Sequence, residues 1–272
     1  MPAHPYGPHL RVLIQGIDRP LGERCASRMQ AYNTPAIAGV AAGRAGVRLA
    51  QLPTFDLVER ARDTVGELDL SLIATEPFAV LDAGLEAIAA GIRQIFILTP
   101  GVPPLDMMQL LRKAETANTV VLGAGSRGII TPGQALVGNY DAQFYRPGSV
   151  GLVSGVGCLT DEVAIALGKA NLGQSLVVNL GTEEILASSY EPWLEILNED
   201  PNTTAITLIA RADRGDFEAV ADYIASDIGK PVIAYLAGHA SHDCQARMAV
   251  LREAGVILAE CPGQIPSAIA KK

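Results

Sequence analysis

Apolar residues in this chain gather into short unbroken runs: RVLIQ (11–15), AIAGV (36–40), LSLIA (70–74), QIFIL (94–98) and TVVLG (119–123). Runs of this length, rich in β-branched residues and lacking polar alternation, predict strands buried on both faces. Between them, the stretches 78–91 and 104–117 repeat apolar positions at three and four residues, the period of an amphipathic helix. Strand followed by helix, repeated, predicts a parallel sheet covered by helices. From 123 to 148 the pattern lapses into a Gly- and Pro-rich segment, and a domain boundary is placed near 145. A second series follows: VGLVS (150–154), SLVVNL (175–180), AITLIA (205–210), PVIAYLA (231–237) and VILAE (256–260). Helical periods fill 159–170, 216–226 and 245–254. The expectation is α/β, with two doubly wound domains at 1–145 and 146–272, whose ligands bind at the carboxyl ends of the strands.

Composition narrows the function classes. The chain has 272 residues, 49% of them hydrophobic, which suits ordered globular domains and not a disordered segment. Its net charge of −8, without a Lys/Arg cluster, argues against a nucleic-acid or anionic-membrane surface. None of Cys25, Cys158, Cys244 and Cys261 forms a C-x-x-C pair, so a zinc ribbon is not available. The start MPAHPYGPHL lacks the layout of a signal peptide, and no apolar run approaches the ~20 residues of a membrane span. A reducing cytoplasm is the expected location.

Four segments carry candidate chemistry. The first strand enters QGIDRPLGERC, a turn bounded by Gly16 and Gly22 that leads into a helix. Phosphate sits at such places in Rossmann-like domains. The G-x-G-x-x-G spacing is absent, which argues against NAD and leaves an ordinary βα turn as the equal alternative. The second turn, GVAAGRAG, offers Arg44 as a phosphate ligand or as a solvated loop residue. The third, VGLVSGVGCLTDEV, ends a strand at Ser154 and opens a helix through Gly155, Gly157 and Cys158, where unpaired amides favour an anion. Cys158 reads either as a thiol with a lowered pKa or as a small packed residue. The fourth, AGHASHDC, puts His239 and His242 just past a strand end. A metal site is disfavoured there by the lack of further ligands, which leaves a reactive histidine or a polar helix cap.

Taken together and in order, the stretches VLIQG, AIAGVAAGRAG, LPTFDLVERA, GLEAIAAGI, TPGVPPLDMM, GIITPG, RPGSVGLVS, LTDEV, LGQS, KPVIAYLAG and REAGV resemble the α subunit of succinate–CoA ligase. The resemblance implies an N-terminal Rossmann-like CoA-binding domain and a C-terminal flavodoxin-like ligase domain. It also implies an ATP-grasp β-like partner, through which ATP and Mg would enter, and phosphoryl transfer through a histidine of the α chain. A homo-oligomer is a further expectation; nucleic acid, membrane and NAD are not expected. Residue by residue, CoA contacts fall on Gly16, Asp18, Arg19, Pro20, Leu21 and Gly22, on Arg44, and on Leu98, Thr99 and Pro100. Phosphate contacts fall on Ser154, Gly155, Gly157 and Cys158, and the substrate position on Asp161.

Many of these positions depart from the family pattern. Its Thr-Gly-Ser-Gln loop is Asp18-Arg19-Pro20-Leu21 here, where added bulk hinders close approach and Arg19 compensates by charge. Its Ile-Thr-Glu loses the carboxylate at Pro100. Its Ser-Arg-Ser-Gly-Thr loop becomes Ser154-Gly155-Val156-Gly157-Cys158, and its Asn-Cys loop becomes GAGSRG. The substrate tyrosine becomes Asp161, which repels a dicarboxylate unless a cation intervenes. The glutamate that contacts the catalytic histidine becomes Arg211. The histidine loop is much shortened, with His239 as its only heir. Changes at so many site positions favour a CoA- or nucleotide-related binding or regulatory subunit. The alternative is an active NDP-forming acyl-CoA ligase α subunit that uses His239.

Overall fold

The computed structural model describes residues 6–34, 36–238 and 242–271, with the backbone alone at 242 and 243. In the first half the apolar runs become β1 (Val12–Gln15), β2 (Ala36–Val40), β5 (Leu70–Ile73), β6 (Gln94–Ile97) and β7 (Val120–Leu122). Two further strands, β3 (Arg48–Leu49) and β4 (Leu52–Phe55), complete a seven-stranded sheet in the order β3-β4-β2-β1-β5-β6-β7. Every neighbouring pair is parallel except β3 with β4. The helices between them are α1 (Pro20–Ala31), α2 (Val58–Val65), α3 (Val80–Ala89) and α4 (Pro104–Thr116). All four residues of β1 and of β5 are buried, which accounts for their unbroken apolar sequences. From β1 the chain crosses to β2 on one side and later reaches β5 on the other. The strand order therefore reverses at β1, and a crevice opens above its carboxyl end.

The second half forms a sheet ordered β14-β13-β12-β10-β11-β8-β9. Its parallel strands are β10 (Pro147–Ser154), β11 (Gln174–Asn179), β12 (Ala205–Arg211), β13 (Val232–Ala237) and β14 (Ile257–Leu258). Around it lie α5 (Gly157–Lys169), α6 (Glu191–Glu199), α7 (Phe217–Asp227), α8 (His242–Glu253) and α9 (Ile265–Ala270). The Gly- and Pro-rich segment without a readable pattern holds a hairpin, β8 (Gly128–Thr131) and β9 (Ala135–Gly138), that pairs antiparallel with β11. The hairpin needs glycine where its strands close. A Cβ on Gly128 would lie 2.0 Å from the Val137 carbonyl oxygen, and one on Gly138 would lie 2.1 Å from that of Arg127. No helix among the described residues is long and apolar enough to cross a membrane.

Side chains from both halves meet in one continuous core. The Tyr6 ring stacks on Trp193 at 5.6 Å and tilts against Phe96 at 6.0 Å. The Thr131 hydroxyl donates to the Tyr6 carbonyl at 2.8 Å, and the Leu136 amide donates to the Thr34 hydroxyl at 2.8 Å. Trp193 is 1% exposed, and its indole N–H donates to the Ser188 hydroxyl at 2.8 Å. It is thus a core residue.

Trp193→Ala lowers unfolding free energy by about 3–5 kcal/mol, read from urea denaturation followed by circular dichroism. A Cβ on Gly22 would lie 2.1 Å from the Gly16 carbonyl oxygen, a backbone atom with no rotamer to relieve the clash. Gly22→Ala is expected to cost about 3 kcal/mol and to lower the melting temperature by several degrees.

Candidate functional site

Above β1 the backbone is packed so closely that side chains are excluded. Gly16 has φ +78°, and a Cβ on it would lie 2.8 Å from the Ala74 carbonyl. Helix α1 starts with Pro20 after an extended Arg19, without a side-chain cap. The crevice is a cavity of about 470 Å³. Of the sequence-predicted CoA contacts, Gly16, Asp18 and Arg19 line it. Pro20, Leu21 and Gly22 form the first turn of α1 behind it. Leu98 and Thr99 are buried, with the Thr99 hydroxyl donating to the Thr75 carbonyl at 2.7 Å, and Pro100 is exposed. The Arg44 side chain is exposed, while the backbone amides of Arg44 and Ala45 both donate to Asp56 at 3.0 Å.

The charge of this crevice differs from the expectation for a phosphate site. Arg19 lies 3.2 Å from Glu76 and 3.9 Å from Asp18, so acids of the same crevice already compensate its cation. Asp56, Asp82 and Glu86 also line the cavity, which makes five carboxylates against one guanidinium. Glu86 is tied into the scaffold. Its carboxylate accepts from the Val58 amide at 2.8 Å and from the Gln15 side chain at 3.4 Å. Gln15 in turn accepts from the Ser71 hydroxyl at 2.6 Å.

The second sheet presents the loop from β10 to α5. The Ser154 hydroxyl is buried and faces inward. It donates to the Val156 carbonyl at 2.9 Å and accepts from the Val156 amide and the Thr160 hydroxyl at 3.1 and 2.8 Å. The Gly155 amide donates to the Ile209 carbonyl at 2.8 Å, and a Cβ there would lie 2.5 Å from the Tyr190 hydroxyl. Gly157 and Cys158 start α5, and Cys158 is exposed instead of packed.

Asp161 proves to have a cation beside it. Arg127, in the loop between β7 and β8, donates to its Oδ2 at 2.6 Å and to the Gly157 carbonyl at 3.0 Å. The Tyr145 hydroxyl donates to Asp161 Oδ1 at 2.5 Å. Burial first, then neighbouring Tyr140 and Asp161, push the Tyr145 phenol far above its ordinary pKa, so it remains a donor. The expected repulsion at Asp161 is therefore met by an arginine from a different element. Arg211 is likewise matched: its guanidinium forks onto Asp213 with bonds of 2.9 and 2.6 Å. That fork holds the Asp213 carboxyl below its ordinary pKa. His239 lies outside the described residues, between Gly238 at the end of β13 and the start of α8.

Between the two sheets, a cavity of about 600 Å³ is bordered by the loops that follow β6 and β11. The Glu183 carboxylate accepts from the Gly101 amide at 3.0 Å, and Arg214 donates to the Thr182 carbonyl at 2.6 Å. A carboxylate thus reaches the residue beside Pro100 from the other half of the chain. Sequence reasoning named Asp18 but missed Glu183, Arg127 and the other acids of the first crevice, Asp56, Glu76, Asp82 and Glu86. Asp56 and Glu76 had a readable signal, as charged residues just past apolar strand-like stretches.

Residues 9–101 match the family model described as the CoA binding domain. The succinate–CoA ligase [ADP-forming] α subunit of Aquifex aeolicus is 33% identical, covering 96% of this chain and 92% of that protein. The second such α subunit of Archaeoglobus fulgidus is 35% identical over 84% of this chain and 79% of its own length. The malate–CoA ligase α subunit of Methylorubrum extorquens is 30% identical over 95% and 94%. Among solved structures, ATP citrate lyase of Methanosaeta concilii in complex with (3S)-citryl-CoA shares the fold, with a TM-score of 0.88 at 17% identity. The match covers 98% of this chain, which spans 50% of that longer one. Full-length similarity at this identity, on the architecture just described, settles the relationship: the chain belongs to the family of succinate–CoA ligase α subunits.

Proposed function

We propose that the chain is a CoA-binding α-type subunit that works beside an ATP-grasp β-like partner as a binding or regulatory subunit, without a phosphohistidine at 239. One observation carries this reading. The polar side chains at the predicted phosphate and substrate positions bond to the protein itself: Ser154 to Val156 and Thr160, Asp161 to Arg127 and Tyr145. Such groups hold a loop in shape and have little capacity left for a reacting phosphoryl group.

The first crevice fits CoA in part. Helix α1 begins next to Arg19 without a side-chain cap, and the free amides of a helix start suit a phosphate. The five carboxylates of the crevice oppose one. In this reading, amides of the first turn of α1 and Arg19 hold the diphosphate. In the same reading the start of α5 (Gly157 and Cys158) receives a smaller anion, the Gly155 amide being held by the Ile209 carbonyl. CoA would supply the thiol; ATP and Mg belong to the partner.

A second reading, an active NDP-forming acyl-CoA ligase subunit using His239, is favoured by the cation beside Asp161. Arg127 removes the charge conflict that an anionic acid would otherwise meet there.

Two measurements test these readings. Incubated with γ-labelled ATP and an ATP-grasp β subunit of the same family, the chain should acquire no acid-labile phosphate. Labelling that disappears in His239→Ala establishes the second reading instead. Calorimetry should detect CoA binding. Glu76→Gln, which removes an acid and releases Arg19, should tighten it about fivefold. Absence of heat at millimolar CoA removes CoA from the proposal.

A further inference from the structure

Among the described residues, the two most exposed large apolar side chains are Phe78, at 82%, and Leu105, at 78%. They belong to one surface. Phe78 precedes α3 and borders the same cleft as Pro104, the first residue of α4. Leu105 follows Pro104, and Met108, also exposed, stands one turn further along α4. Together with Leu85 of α3, these two line a groove of about 770 Å³ between the helices. The helices already touch, since a Cβ on Gly84 would lie 2.6 Å from the Leu110 side chain. Drawing them closer cannot close the groove. Single apolar residues on a surface are ordinary, whereas a run of them along one helix pair marks a face that another surface covers.

The strip is charged differently at its two ends. Arg112 and Lys113, both exposed, line the groove late in α4, and Glu115 lies outside it. Among the described residues neither cation takes part in an ion pair, in a chain whose net charge is −8. The other end is acidic. Helix α4 has Asp106 in its first turn, and the exposed Glu184 borders the cleft beside Phe78. Glu183 and Arg214 of that cleft are already engaged, with the Gly101 amide and the Thr182 carbonyl.

Along the strip the order is therefore acid, apolar, base. A copy of the strip laid parallel would set base on base. Laid antiparallel, it sets acid on base at both ends and apolar on apolar between them, which a two-fold axis through the middle achieves. A separate protein with an acidic helix would suit the basic end and leave Glu184 facing like charge. We infer that this strip binds a second copy of the chain, giving a two-fold homodimer in which α4 of one protomer packs antiparallel on α4 of its partner. The contact involves neither the first crevice nor His239, so it stands apart from CoA binding and from phosphorylation.

Sedimentation velocity of the full chain between about 1 and 100 µM tests this. The unaltered chain dimerises, and salt at about 1 M weakens the dimer because its end contacts are ionic. Leu105→Glu alters a side chain that is already in water. It leaves the melting temperature unchanged and weakens the dimer about tenfold or more. Arg112→Glu weakens it about fivefold by setting acid against acid, and adding Glu184→Lys restores the affinity to within about twofold. A chain that is monomeric at about 100 µM overturns the inference. So does a dimer indifferent to Leu105→Glu, which is joined through another face. A double variant no better than Arg112→Glu alone overturns the antiparallel arrangement. A chain that associates only with an ATP-grasp β subunit, and loses that association in Leu105→Glu, assigns the strip to that partner instead.

Discussion

The arrangement at the carboxyl edge of the second sheet depends on one buried amide. Asn179 ends β11, is fully buried, and reaches across to the Ser154 carbonyl at the end of β10. Its side-chain oxygen accepts from the Arg127 amide, and its backbone carbonyl accepts from the Ser126 hydroxyl. Two strand ends and the segment arriving from the first sheet are thereby pinned at a single residue. A buried amide that makes all of these bonds is well satisfied; one that lost any of them would carry a desolvation penalty. That penalty is what makes the geometry of the 123–128 segment specific.

Three arginines near the candidate sites are each paired with an acid. Arg19 meets Glu76, Arg127 meets Asp161, and Arg211 meets Asp213. The pairs differ in what surrounds them. The Arg211 fork is exposed, and solvent screens it, so it contributes little to stability. The Arg127 pair is partly buried against two tyrosines and is less screened by solvent. The first crevice departs from local cancellation, with acids left over after Arg19 is matched. Its field therefore disfavours anions, whereas its backbone geometry favours them, and these two influences oppose each other within one cavity.

Most of the fold was legible because the central strands of both sheets are buried on both faces, so hydrophobicity alone marks them. The AIAGV run, for example, is β2 without adjustment, and the helix read at 104–117 is α4 to within a residue. The β8–β9 hairpin was not legible. Each strand has four residues, the glycines that permit their closure resemble those of a loop, and their partner β11 lies far along the chain. The glycine-lined turns of the site could be read, since close approach demands that residue type. The charge network could not: Arg127 and Asp161 are 34 residues apart and belong to different elements. Sequence spacing holds no record of a pairing that the sheet order creates.

The hairpin has a consequence for how separable the two halves are. Its strands cover the outer side of β11 and are built from the very segment that leaves the first sheet. Cutting the chain near 145 would leave the second half without them and turn β11 into an open edge. That edge would carry unpaired backbone groups along an apolar strand, the template on which chains add to one another. The hairpin is therefore also a built-in guard, and the second half depends on the segment leaving the first sheet to keep that edge covered.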